Sequence, residues 1–144
     1  MRVVLDTNIL VSGVISAGGS PRILLDGARG RVFELCTRTT LLAELLDVIS
    51  REKFAARLFK AGLTPQGIVA DIRRVAYMAN PSSVPRVIKN DPDDDHVLAC
   101  AVTGQAALIV SGDKHLQDVG AMYQGIRIVR AAEAINLITG LPPD

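Results

Sequence analysis

No apolar run in the chain approaches the roughly 18 residues that a membrane span requires. The first residues enter a buried-strand pattern directly, with no cleavable leader ahead of it, so a cytoplasmic protein is expected. Only two cysteines are present, Cys36 and Cys100. They lack metal-ligand spacing and are expected to be reduced thiols in or near the core. No histidine or cysteine set has the spacing of a zinc site. There is no internal repeat, low-complexity tract or linker, so residues 1–144 read as one domain. The net charge of +1 selects no class of partner. What the chain does have is a 49% hydrophobic content over 144 residues, enough to build a sizeable core.

The apolar residues fall in alternating strand and helix patterns. Val3, Val4 and Leu5 form a short β-branched run of the kind buried on both faces of a parallel sheet. Ile9, Leu10, Val11, Val14 and Ile15 follow at helical spacing. Ser20-Pro21 starts a second helix with Ile23, Leu24, Leu25 and Ala28, and Val32 to Cys36 reads as a strand. The clearest amphipathic helix runs from Leu41 to about Lys53, with Leu41, Leu42, Leu45, Val48 and Ile49 on one arc. A further helical turn or two covers Phe54 to Lys60. Thr64-Pro65 opens a helix carrying Ile68, Ile72, Val75, Tyr77 and Met78 as far as Asn80-Pro81. A strand interrupted by Pro85 is read over Val84 to Ile88, and Pro92 opens a helix through Val102. Ala107 to Val110 is a second buried strand. A helix over Lys114 to Met122, an edge strand over Ile126 to Val129 and a helix over Ala131 to Ile138 complete the pattern. This alternation predicts an α/β fold, a three-layer α/β/α sandwich around a mainly parallel sheet of about four to five strands.

Acidic residues sit where such a fold exposes chemistry. Asp6 ends the first strand and Asp113 follows the Ala107 to Val110 strand, at the sheet edge where open α/β folds bind ligands. Helix capping alone would explain Asp6. Glu44 lies roughly 40° from Val48 on its helix, at the border of the apolar arc; a helix-dipole role fits it as well as the seam does. Asp91, Asp93, Asp94 and Asp95 crowd into five positions. Asp93 falls on the polar side of its helix, whereas Asp94 and Asp95 project within or beside the apolar arc, which dipole complementarity does not explain. Four carboxylates gathered without a cation would repel one another. One or two Mg²⁺ or Mn²⁺ ions, which take oxygen ligands, resolve that. With four acids so committed, sixteen basic residues face eleven acidic ones, and twelve of the sixteen are Arg. That side chain suits bidentate phosphate contacts, although solvated arginines account for it equally.

In order, Asp6-Thr7-Asn8 after a strand, Glu44 on a helix, Asp95-His96-Val97-Leu98-Ala99 opening a helix, and Ser111-Gly112-Asp113 after a strand resemble the PIN-domain nuclease family. The likeness covers essentially the whole chain. The Asp-Pro-x-Asp-Asp run and Ser-Gly-Asp-Lys-x-Leu are similar to the branch identified as toxins of toxin–antitoxin pairs. The resemblance implies a Mg²⁺- or Mn²⁺-dependent ribonuclease acting on single-stranded RNA, leaving 5′-phosphate and 3′-hydroxyl ends. It implies a homodimer and a small antitoxin protein whose segment blocks the acidic groove. It assigns Asp6, Glu44, Asp95 and Asp113 as catalytic and metal-binding acids, with Asn8 and Ser111 in support. Whether Asp94 is also a ligand stays open, because this branch often carries both acids and the helical wheel does not separate them. Two other readings remain open. Gly112, Asp113 and Asp118 meet the signature of a haloacid-dehalogenase-like phosphatase with Asp6 as nucleophile, but Asn8 stands where those enzymes place a second Asp. A non-catalytic RNA- or partner-binding module would have no need of four mutually repelling acids.

Overall fold

The computed structural model describes residues 1–81, 84–85 and 92–140. In chain order its elements are β1 (Arg2–Leu5), α1 (Thr7–Ile15), α2 (Ser20–Arg29), β2 (Glu34–Thr37), α3 (Thr39–Ile49), α4 (Glu52–Lys60), α5 (Pro65–Val75) and β3 (Tyr77–Met78). They continue with α6 (Pro92–Thr103), β4 (Leu108–Val110), α7 (Lys114–Asp118), β5 (Met122–Tyr123), β6 (Ile126–Val129) and α8 (Ala131–Thr139). The strands form one sheet in the order β3-β2-β1-β4-β6-β5. All neighbours pair in parallel except β5 and β6.

The buried positions of the central strands are mainly apolar because both faces are covered. Val3, Leu5, Leu35, Leu108 and Val110 face a layer that includes α1, α2, α3, α5 and α8. Val4, Cys36, Ile109 and Ile128 alternate to the opposite face, where Val97, Leu98, Cys100 and Ala101 of α6 and Leu116 of α7 cover them. This is the three-layer sandwich that the alternating pattern predicts. Among the described residues, no single helix is long and apolar enough to cross a membrane.

Among the described residues the sheet has six strands, more than the pattern predicts, and the additions are the two-residue edges. Helical spacing carries α5 on to Met78, yet the helix stops at Val75. Tyr77 and Met78 then pair with Cys36 and Thr37, and Ala79 N donates to Thr37 O at 2.8 Å. The Tyr77 ring also lies under the Arg2 guanidinium, 3.8 Å from its centroid. Similarly, α7 ends at Asp118, and Met122 and Tyr123 turn back against β6, so β6 is not the sheet edge. These pairings depend on a partner strand distant in sequence, which local periodicity does not register. Of the strand expected over residues 84–88, Val84 and Pro85 have no strand structure, and residues 86–88 lie outside the described residues.

Cys36 and Cys100, distant in sequence, meet in the core with their Sγ atoms 3.9 Å apart. Contact with Cys36 and burial hold the Cys100 thiol well above its usual range. The pair therefore contributes packing between β2 and α6.

Candidate active site

The end of β1 is zipped to the end of β4: Asp6 N donates to Val110 O at 3.0 Å. The Asp6 carbonyl then accepts from Ile9 and Leu10, which launches α1. Asp6 occupies the N-cap position but makes no side-chain capping bond. Its carboxylate instead accepts a hydrogen bond from Ser111 Oγ at 2.7 Å, one residue beyond β4. The Ser111 hydroxyl in turn accepts from Asp113 N at 2.9 Å, which directs its single proton toward Asp6. Gln117 Nε2 donates to Ser111 O at 2.9 Å and ties α7 to this corner.

The first turn of α6 brings Asp94 over the same edge. One carboxylate oxygen each from Asp6, Asp94 and Asp113 lies within 4.8 Å of the other two. Asp6 and Asp94 are buried and Asp113 is half-buried. Burial pushes the Asp6 carboxyl above its ordinary value. The Ser111 hydroxyl and the Thr7 and Asn8 amides oppose that shift, while the Asp113 carboxylate adds to it. Three converging carboxylates, two of them removed from water, are a donor set of hard oxygens that fits a divalent cation.

Of the residues the motifs select, Asp6, Asp113 and Ser111 meet directly. Asp94, which the motifs leave open as a further ligand, completes the cluster; Asp95 and Glu44, which they assign, do not belong to it among the described residues. Asp95 is buried one residue further around α6. It lines a cavity of about 480 Å³ with Asn80, Leu98, Tyr123 and Gln124. Glu44 is half-buried on α3, and Asn8 is exposed in the first turn of α1. Asp118, which a phosphatase signature would need at the site, is exposed on α7 and outside the cluster. Sequence patterns give no sign of Gln117, nor of Arg38, which contacts His96 across 58 positions.

Fold and site together define an α/β sandwich with a carboxylate centre at the carboxyl ends of its parallel strands. A family model described as PIN domain matches residues 2–115, most of the chain, and the chain belongs to the PIN-domain family. PIN domains are generally nucleases that use divalent metals. No curated protein matches the chain.

Proposed function

We propose that this PIN domain is a Mg²⁺- or Mn²⁺-dependent endoribonuclease that cleaves single-stranded RNA. In this reading it is the toxin of a toxin–antitoxin pair, acts in the cytoplasm as a homodimer and is held in check by a small antitoxin protein. The observation that carries the nuclease reading is the Asp6, Asp94 and Asp113 cluster within a PIN fold. The RNA substrate and the toxin role rest on the motif likeness over Asp91 to Ala99 and Ser111 to Leu116.

Asp6, Asp94 and Asp113 would hold the ion, and the motif likeness adds Glu44 and Asp95 as further acids of the site. When bound, such an ion makes water a nucleophile near neutral pH and offsets charge on the phosphate and the leaving 3′-oxygen. The chain supplies the rest. Ser111 fixes the Asp6 carboxylate through its directed proton, the Gln117 bond fixes the Ser111 backbone, and burial of Asp6 and Asp94 keeps bulk water from the centre.

The test offers labelled single-stranded RNA, duplex RNA and single-stranded DNA to the purified chain with Mn²⁺, Mg²⁺ or EDTA. Cleavage of single-stranded RNA with the divalent ion alone is expected, with 5′-phosphate and 3′-hydroxyl products. Equal cleavage in EDTA, or by Asp6→Asn and Asp94→Asn, would overturn the reading.

A further inference from the structure

Beside the carboxylate cluster lies a buried cation that the nuclease chemistry above does not use. In the parallel register Val4 lies beside Cys36, so two residues further on Arg38 comes level with Asp6 one strand away. Neighbouring strands are about 4.8 Å apart. By alternation Arg38 faces the α6 side, as Cys36 does. Arg38 is 9% exposed. Its Nη1 donates to His96 Nδ1 at 2.8 Å. Arginine can only donate, so this bond fixes the His96 ring proton on Nε2. Arg38 Nε is buried and meets no acceptor. Among the described residues Arg38 forms no ion pair with any carboxylate, although Asp94 and Asp95 are neighbours of its partner His96.

That arrangement carries an energetic cost. Among the described residues no carboxylate is in ion-pair contact with this guanidinium, and Nε lacks an acceptor, so its burial carries a desolvation cost that one neutral imidazole does not repay. Its position makes this worse. Arg38 is the N-cap of α3, and His96 lies in the first turns of α6. Both helices turn the positive ends of their dipoles toward it, where anions are favoured and cations are not. An Nε donor lacking an acceptor, on a guanidinium at the positive ends of two helices, matches a phosphate.

We propose that Arg38, oriented by His96, is an anion site that receives a backbone phosphate of the bound RNA strand alongside the carboxylate cluster. The strand then meets two features at one sheet edge. The acids hold the reacting phosphate through the ion, and Arg38 holds a neighbouring one. The assignment to RNA rests on the nuclease reading above; the anion site itself does not.

Two measurements separate these claims. The first is thermal melting of the full chain in EDTA, with inorganic phosphate against chloride at matched ionic strength. Phosphate should raise the wild-type midpoint and leave Arg38→Met unmoved. Arg38→Lys, which keeps the charge but not the fork, should retain part of the response. The second measurement is binding and cleavage of a fluorescein-labelled oligouridylate. Arg38→Met should weaken binding on the order of tenfold and flatten the log–log salt dependence by about 0.7. Its KM should rise while kcat at saturation holds. The anion site is refuted if the wild type ignores phosphate, if a folded Arg38→Met keeps the full response, or if Arg38→Lys loses the response altogether. An Arg38-dependent phosphate response without RNA binding or cleavage would keep the site and reject the nuclease reading. Cleavage with KM unchanged in Arg38→Met would keep the nuclease reading and reject the proposal that Arg38 receives a phosphate of the RNA.

Discussion

Asp94 and Asp95 follow one another on α6, yet only Asp94 has an oxygen within 4.8 Å of both Asp6 and Asp113. Mn²⁺ should therefore raise the melting temperature of Asp95→Asn, whereas Asp94→Asn and Asp6→Asn should respond weakly. Equal loss of the Mn²⁺ response in Asp94→Asn and Asp95→Asn would show that the two acids share the ion. A wheel at 100° per residue cannot rank two adjacent acids that both border the apolar arc; the choice depends on how α6 tilts over β1 and β4. Asp6 was legible because a strand end dictates where the next side chain goes. Its protonation yields a second test, made without metal. Its folded-state pKa lies above the ordinary 3.8, so the native state keeps the proton to higher pH than the unfolded chain does. The stability so conferred is complete below 3.8 and is lost as pH rises through the folded value. Asp6→Asn cannot ionise. In EDTA it should match wild type at the acid end of this window and become the more stable protein above it. Parallel stability curves across that range would refute the assignment. Ser111→Ala removes the main donor to Asp6 and should cost about 1.5 to 3 kcal/mol at neutral pH, readable by urea denaturation.

At the scale of elements, α6 links the site to the core, and its far end is packed against β2. A Cβ added at Gly104 would collide with Cys36 Sγ and would meet Ala79 Cβ and Cys100 O at 3.2 Å each. Gly104→Ala should cost about 1 to 3 kcal/mol through overpacking. Removing the obstructing sulfur relieves it, so adding Cys36→Ala to Gly104→Ala should cost less than the two single changes summed. Strict additivity in urea denaturation would mean that the helix end moves away freely. No sequence pattern pointed to this contact, because Gly104 reads only as a helix stop and Cys36 only as an apolar strand residue. The long elements were legible because burial on both sheet faces enforces continuous apolar strands and helices with one apolar arc. The edges β3 and β5 were not. Each has two residues, too few for a period, and exists because a neighbouring strand offers its backbone.

Across the whole molecule, the site places a cost on the fold that a cation can lift. Two buried carboxylates and a half-buried third converge at one sheet edge, and burial already disfavours the charged form of Asp6. Divalent binding to the folded chain alone stabilises it by mass action, roughly 2.7 kcal/mol at 100 times the dissociation constant. In a domain of this size that should lift the melting temperature by about 5 to 10 °C. Ionic strength alone cannot imitate this, because matched NaCl would move wild type, Asp6→Asn and Asp94→Asn together. The metal-free order should also invert the usual effect of mutation. In EDTA at neutral pH, Asp6→Asn and Asp94→Asn should each melt above wild type, since each removes repulsion from the cluster; with saturating Mn²⁺, wild type should overtake both. That crossing of the ranking distinguishes a shared cation cage from three acids that merely happen to be close. A wild type that melts at the same temperature in Mn²⁺ and EDTA, with both variants below it throughout, would assign the cluster a structural role instead.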